Sequence, residues 1–157
     1  HKTPRRQRQM CIRDSGNIDE KKIYAIKPLT FMNNSGTAIK ELIDYFKIDA
    51  KDVIVFHDDM DIDFGKIKAK FGGSSAGHNG IESIDKFIGK DYSRVRIGIG
   101  HPKQKKKVNN HVLEDFKEDE EERIKEITEN IVKQIPTLID KKMDLFSSKV
   151  NQNLNGI

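Results

Sequence analysis

The chain has 157 residues, a length typical of one domain, and its 35% hydrophobic content is enough for one core. No apolar run is long enough to cross a bilayer and no stretch resembles a secretory signal, so we expect a cytoplasmic protein. Cys11 is the only cysteine, which excludes a disulfide framework and a zinc site built on cysteines.

Charge is unevenly distributed around a formal net value of +4. Residues 1–15 carry five basic side chains against one acidic, residues 65–107 carry eleven against three, and residues 108–145 carry six against eleven. A basic middle of this kind can attract phosphate by counterion release. The alternative is a solvated strand face whose lysines keep a sheet edge soluble.

Residues 1–15 show neither helical nor strand periodicity, and the piece from Met10 to Ser15 is similar to translated adapter read-through. We therefore predict a non-native or disordered segment there, the alternative being a basic arm that binds nucleic acid. Residues 16–150 are predicted to form the domain, and residues 151–157 a flexible tail.

Strand and helix patterns alternate through the domain. A short apolar strand at residues 23–26 ends before Pro28, and Ser35 can cap a helix. The apolar stripe of this helix consists of Ile39, Leu42, Ile43 and Phe46. The run from Val53 to Phe56 is continuously apolar, which predicts a strand covered on both faces.

The second half continues the alternation. From Gly65 to Phe71 lysines alternate with apolar residues, which predicts a strand with one cationic face. A helix with Ile81, Ile84, Phe87 and Ile88 on one side should end at Gly89, and a strand follows over residues 94–100. Residues 119–134 and 136–147 are predicted helices separated by Pro136. The pattern predicts an α/β domain with a largely buried sheet, without indicating the strand order.

Three polar loops could carry chemistry at the ends of strands. In the first, Asn33 and Asn34 can donate amide hydrogens to an ester carbonyl or oxyanion, or can form an Asx-turn or helix cap. In the second, residues 57–63, clustered carboxylates suggest a hard metal or a carboxylate that orients a catalytic imidazole. We interpret His57 as an ordinary, partly buried histidine.

A metal is disfavoured in the second loop. Counted from Asp59, the calcium-loop template requires glycine and glutamate where Phe64 and Lys70 stand. A magnesium site shared by Asp58 and Asp61 has no nucleotide-binding feature near it.

The third loop is glycine-rich and ends in His78-Asn79-Gly80 at a predicted helix start. Backbone N–H groups there could bind an anion, although the P-loop and G-x-G-x-x-G spacings are absent. A flexible connector would explain the glycines but not the His-Asn pair.

Together and in order, these loops resemble the bacterial-type peptidyl-tRNA hydrolase family. The family's Phe-Met-Asn-x-Ser-Gly is matched by residues 31–36, its His-Asp-(Asp/Glu)-x-Asp by residues 57–61 and its Gly-His-Asn-Gly by residues 77–80. Its Arg-(Val/Ile)-Gly-Ile-Gly-x-Pro is matched by residues 96–102, with Ile97 at the second position. The resemblance implies a single α/β domain in which helices flank a twisted mixed sheet.

The resemblance also implies an activity, namely hydrolysis of the ester between a nascent peptide and the 3′ ribose of tRNA. This reaction recycles tRNA from aborted translation, and it implies a monomer without metal or cofactor. Asp58 matches the carboxylate that orients a catalytic histidine, and Asn33 and Asn79 match amides that bind the 3′ end and polarise the ester. The substrate-binding set implied by the motifs is Phe31, Asn33, His78, Asn79, Lys70 and Arg96, with Lys68 assisting the grip on phosphate.

One part of the family pattern is absent from the 157 residues. The family opens with a strand carrying Gly-Leu-Gly-Asn-Pro-Gly and then Thr-Arg-His-Asn, whose histidine is the general base; neither motif occurs here. We therefore expect the first strand and helix to be missing, the amino terminus to be truncated or foreign, and the chain as written to be nearly inactive.

Two rival hypotheses come from other functional classes. A non-catalytic RNA-binding relative of the same fold would keep the basic stripe, but it gives no reason to retain Asn33, Asp58 and Asn79 together. A phosphate-binding metabolic enzyme using the glycine-rich loop lacks a nucleotide fingerprint.

Overall fold

The computed structural model describes residues 11–101 and 117–155. It has α/β architecture, with helices flanking a mixed sheet, and the described residues form two compact units. The first unit comprises the described residues up to Val53 together with Gly72–Ser93, and the second comprises Ile54–Phe71 and the described residues from Arg94 onward. No helix within the two described stretches is long and apolar enough to span a membrane.

The elements follow one another in an irregular alternation of strands and helices. In chain order they are β1 (Cys11–Ile18), β2 (Lys21–Pro28), a 3-10 turn (Met32–Asn34), α1 (Ser35–Phe46), a second 3-10 turn (Ala50–Asp52), β3 (Ile54–Asp59), β4 (Ile67–Phe71), α2 (Asn79–Ile88), β5 (Ser93–Gly98), α3 (Glu118–Ile139) and α4 (Met143–Asn155).

In the first unit an antiparallel hairpin packs on α1, and α1 packs on α2. β1 pairs with β2 in a register that places Cys11 opposite Pro28 and Ile18 opposite Lys21. The ring of Tyr24 in β2 stacks on Phe46 of α1 with 4.2 Å between centroids. The sequence predicted that the domain begins at residue 16, but β1 begins at Cys11. Residues 11–15 pair with β2 although their sequence shows no strand alternation. Residues 1–10 lie outside the described part, so the predicted non-native segment stays a prediction.

α2 buries only part of the aliphatic stripe that the sequence predicts. Ile81 and Ile84 are buried as expected, but Phe87 is 42% exposed and the buried polar position is Ser83. The reason is a close contact between the starts of α1 and α2, which turns the side of Gly80 and Ser83 inward. The helix ends as predicted, because Gly89 adopts a positive φ of 78° that glycine tolerates best.

The second unit contains a three-stranded mixed sheet in the order β3-β5-β4. The carbonyl of Asp59 accepts a hydrogen bond from Ile99 N, in keeping with parallel β3 and β5, whereas Gly98 N donates to Lys66 O in the antiparallel pair of β4 and β5. Among residues 11–101 and 117–155, β3 is therefore an edge strand of this sheet. Phe56 is 43% exposed, so the residues that the structure describes do not cover both faces of this strand.

Helices α3 and α4 cover one face of that sheet and form the main core with it. Its buried members are Ile67, Ala69, Val95, Ile127, Ile131, Leu138, Phe146, Val150 and Leu154. Leu154 is only 6% exposed, so residues 151–155 belong to α4 and not to a flexible tail; residues 156 and 157 lie outside the described part.

Pro136 does not separate two helices, contrary to the prediction. α3 runs without interruption from Glu118 to Ile139 and contains Pro136 in its last turn. Proline lacks the N–H that would pair with the carbonyl of Val132, and Val132 is 63% exposed, so water can satisfy that carbonyl. The helix ends at Ile139, and Lys141 just beyond it has a positive φ of 60°.

Candidate functional site

The first unit places two of the candidate amides on neighbouring segments. Asn33 lies in the 3-10 turn and Asn79 is the first residue of α2, and both are exposed. The turn packs closely on the helix start, because a Cβ on Gly80 would come within 2.5 Å of Met32 Sδ. The structure therefore brings together two segments that are more than forty residues apart in the sequence.

The asparagines of the first loop do not serve as helix caps. Asn34 occupies the N-cap position of α1 but makes no capping hydrogen bond with its side chain. Ser35, which the sequence suggested as the cap, lies inside the helix and donates from Oγ to the carbonyl of Met32 at 2.9 Å. The capping alternative for this loop is thus wrong for Asn34, which favours the interpretation in which a nearby amide is available to a ligand.

His78 caps α2. Its Nδ1 accepts hydrogen bonds from the backbone N–H groups of Gly80 at 3.1 Å and Ile81 at 3.3 Å. Nδ1 is therefore the unprotonated nitrogen in this arrangement, and the ring proton sits on Nε2. The imidazole already accepts hydrogen bonds from the backbone N–H groups of Gly80 and Ile81. The prediction that backbone N–H groups at this helix start bind an anion is therefore not supported for these two residues.

Phe31 stands beside Asn33 at the surface of the same unit. Its side chain is 85% exposed, and it forms the N-cap residue of the 3-10 turn. Leu29 and Met32 are also more than half exposed, so the turn presents an apolar surface next to the amide of Asn33. An exposed apolar cluster beside a polar hydrogen-bonding group is typical of ligand-binding surfaces.

In the second unit Asp58 lies in β3, one residue before its end, and is half-buried. Its neighbour His57 is also half-buried, and His57 Nδ1 lies 2.8 Å from the carbonyl oxygen of Asp58. A carbonyl only accepts, so Nδ1 carries the proton and donates it. This geometry agrees with the interpretation of His57 as an ordinary, partly buried histidine.

Asp59 forms an ion pair that the sequence did not indicate. Arg96 Nε lies 2.7 Å from Asp59 Oδ2, and the side chains are 30% and 8% exposed respectively. Asp59 ends β3 and Arg96 lies in the adjacent β5, so their proximity follows from the strand order. The pair uses Nε, so the terminal amino groups of the guanidinium can still donate to a phosphate.

The carboxylates of the second loop are divided among several partners. Asp59 Oδ1 also accepts from the backbone N–H of Asp61, and the Asp61 carboxylate lies 2.7 Å from His101 Nε2. Within residues 11–101 and 117–155, no three His, Cys, Asp or Glu side chains are grouped so that they could hold a metal ion.

The cationic face predicted for β4 is present. Lys68 and Lys70 are exposed, and they alternate with the buried residues Ile67 and Ala69. Lys66, just before the strand, is exposed as well. The second unit thus presents a row of lysines on a strand that neighbours β5, which carries Arg96.

Each unit therefore assembles its own share of the residues predicted from the sequence. The first unit contains Phe31, Asn33, His78 and Asn79, and the second contains Asp58, Lys68, Lys70 and Arg96. Two contacts were not predicted from the sequence, the Asp59 pair with Arg96 and the Ser83 contact with α1. Neither has a signal in the sequence, because both depend on which elements are neighbours.

Comparison with known proteins gives a consistent result. The family model described as peptidyl-tRNA hydrolase matches residues 2–156. The peptidyl-tRNA hydrolase of Pelagibacter ubique is 72% identical over 137 residues, which cover 87% of this chain and 74% of that protein. The Aliarcobacter butzleri peptidyl-tRNA hydrolase is 47% identical over 123 residues, covering 78% of this chain and 67% of the relative.

Solved structures agree with these relatives. The crystal structure of peptidyl-tRNA hydrolase from Acinetobacter baumannii superposes with a TM-score of 0.83 at 29% sequence identity. The match covers 92% of this chain and 74% of that structure.

Proposed function

The chain belongs to the peptidyl-tRNA hydrolase family, and we propose that it binds peptidyl-tRNA and hydrolyses the ester joining the peptide to the 3′ ribose. The observation that carries the assignment of roles is the packing of the Asn33 turn onto the start of the helix that begins with Asn79. Two exposed amides on such rigidly packed segments suit a carbonyl that becomes an oxyanion. The proposed setting is the cytoplasm, with the protein acting as a monomer in tRNA recycling.

The reaction requires water to be deprotonated as it attacks the ester carbon. A general base takes the proton, the carbonyl oxygen becomes a tetrahedral oxyanion, and the 3′ oxygen leaves with a proton as the peptide carboxylate forms. We assign the oxyanion and the 3′ end to Asn33 and Asn79, and contact with the apolar part of the substrate terminus to Phe31. Asp58 is assigned to orienting the family's histidine base, whose motif is absent from these 157 residues.

Binding of the tRNA backbone is assigned to cations of the second unit. Lys70 and Arg96 donate to phosphate oxygens, and Lys68 contributes to the same field. The Asp59 carboxylate holds Arg96 at its Nε, which restricts the rotamers of the guanidinium before a phosphate arrives. His78 supports binding of the 3′ end indirectly, since it caps the helix that begins with Asn79.

The rival hypotheses receive less support. A non-catalytic RNA-binding protein would need the cations of β4 and β5 but not the exposed amides at 33 and 79. A phosphate-binding metabolic enzyme would use the backbone amides after the glycine-rich loop, and two of these are occupied by His78.

The assignment is tested by release of N-acetyl-aminoacyl groups from tRNA, measured with and without EDTA. The assay uses these 157 residues preceded by the family's amino-terminal segment, and the 157 residues alone. We expect the extended chain to act without metal and the shorter one to be about 10²- to 10⁴-fold slower, because general-base catalysis contributes about that much.

Substitutions then test the individual roles in the extended chain. Asn79→Ala should lower kcat by about 10²-fold or more, as loss of an oxyanion donor does, and Asp58→Asn should lower it because the base loses its orienting charge. Asn153→Ala, an exposed position on α4, is the matched control. An unchanged rate in either substituted protein would refute the role assigned to that residue.

A further inference from the structure

The start of α1 is joined to the middle of α2 by a buried hydrogen bond to the side chain of Ser83. The backbone N–H of Gly36 donates to Ser83 Oγ at 2.9 Å, and Ser83 is only 7% exposed. A Cβ on Gly36 would overlap the carbonyl oxygen of Ser83 and would lie 2.7 Å from Cδ2 of Phe87. Only glycine at position 36 therefore allows this approach of the two helices.

The bond replaces a cap that α1 lacks. The first N–H groups of a helix have no acceptor within the helix. The side chain of Asn34, the N-cap residue of α1, does not supply an acceptor either. Ser83 supplies an acceptor from the other helix. The start of α1 is consequently bonded to α2 through Gly36 as well as to its own preceding turn through Ser35.

A second close contact lies one turn away on the same pair of segments. A Cβ on Gly80 would come within 2.5 Å of Met32 Sδ and 3.1 Å of Met32 Cγ. The segment that carries Asn33 is thus fixed on both sides of this residue. Met32 packs closely on Gly80, which has no side chain to prevent the contact, and Gly36 is hydrogen-bonded to Ser83. Asn33 lies between the two contacts, and Asn79 immediately precedes Gly80.

We propose that Ser83 is a positioning residue which, through its hydrogen bond to Gly36, holds the amide of Asn33 in register with that of Asn79. The inference rests on the proposed function, in which both amides act on the same ester group. Amides aimed at a developing oxyanion must keep their spacing, and a displacement of about 1 Å can cost a factor of about 10² in rate. Ser83 itself contacts neither substrate nor reacting atoms in this proposal.

The test measures discrimination between two ligands of the 157-residue chain. One is an RNA minihelix ending in CCA with an N-acetyl-aminoacyl group in a non-hydrolysable 3′-amide linkage, and the other is the same minihelix without that group. The ratio of their Kd values reports the contribution of the residues that contact the acyl group, namely the two amides together with Phe31. Ser83→Ala should reduce the ratio about fivefold, the effect expected when one hydrogen bond of ordinary strength no longer orders its partner.

Ser147→Ala is the matched control. Ser147 Oγ accepts from the backbone N–H of Ala69 at 2.8 Å, so the substitution removes the same kind of bond in the second unit. It should lower the urea midpoint comparably and leave the ratio unchanged. The side-chain amide signals of Asn33 and Asn79 in nitrogen-15 spectra should shift in Ser83→Ala and stay in place in Ser147→Ala.

The possible outcomes distinguish failure of the positioning role from failure of the proposed function. If the unsubstituted chain does not discriminate between the ligands, the proposed function of the amides fails and the inference fails with it. If it does discriminate, and Ser83→Ala keeps the ratio or changes it no more than Ser147→Ala, the positioning role alone is overturned. Gly36→Ala should reproduce the loss with at least the same size, because its Cβ would separate the two helices.

Discussion

Some side chains in this protein have structural roles that the match to the family motifs does not indicate. His78 belongs to a motif associated with substrate binding, yet its Nδ1 is occupied by two backbone amides of the helix that follows. Asp59 is one member of an acidic run in the sequence, and the strand order places it beside Arg96. In both cases the side chain holds another group in place.

The capping role of His78 is testable by stability. His78→Ala leaves two N–H groups of the first turn without their acceptor, and loss of an N-cap costs about 1 kcal/mol. His78→Asn retains a capping oxygen and should keep most of that stability. Urea denaturation of both variants measures the difference, and equal midpoints would contradict the capping role.

At the scale of elements, α4 completes the outer edge of β4. The side chain of Asn151 accepts from Ile67 N at 3.0 Å and donates to Ile67 O at 2.8 Å, and Ser147 Oγ accepts from Ala69 N. Side chains of a helix thereby take the place of a neighbouring strand. An edge strand satisfied in this way offers fewer free groups to another chain.

Loss of this contact should weaken the second unit. Asn151→Ala removes both bonds to Ile67 and leaves partly buried backbone groups without them, which should lower the free energy of unfolding by about 1 to 3 kcal/mol. Asn153→Ala, exposed on the same helix, serves as the control and should change little. Urea unfolding and light scattering follow the two variants; equal stability would show that the two hydrogen bonds of Asn151 do not stabilise β4.

At the scale of the whole molecule, three lysines of the basic middle, Lys66, Lys68 and Lys70, form an exposed row on and just before β4, and Arg96 lies on the neighbouring β5. Charge alone left two interpretations open, a solvated strand face and a phosphate-binding surface. The structure shows that the lysines are exposed, which both interpretations require. The salt dependence of tRNA binding distinguishes them, because counterion release accompanies contacts to phosphate.

We expect the affinity for tRNA to fall steeply with salt concentration. Substitution of Lys70 or Arg96 by alanine should reduce the slope of log K against log salt by about 1 each, as expected for one phosphate contact. Lys133→Ala, an exposed lysine on α3, should leave the slope unchanged. A slope unaffected by the first two substitutions would remove these residues from the proposed tRNA-binding surface.

Local patterns of the sequence were sufficient for much of the architecture. Alternation of lysines with apolar residues predicted β4 with the correct exposed face, and the periodicity before Gly89 predicted α2 and its end. These features depend on neighbours in the chain, so their signals lie within a few residues. The order of the four motifs was likewise enough to indicate the family that the comparisons show.

Other features were decided by tertiary structure alone. The edge position of β3, the inward face of Ser83 and the pairing of Asp59 with Arg96 all depend on elements distant in sequence. Their energies come from packing and hydrogen bonds between those elements, which override local preference. The sequence by itself therefore determined the family and the types of candidate residue, whereas the structure decided which side chains hold those residues in position.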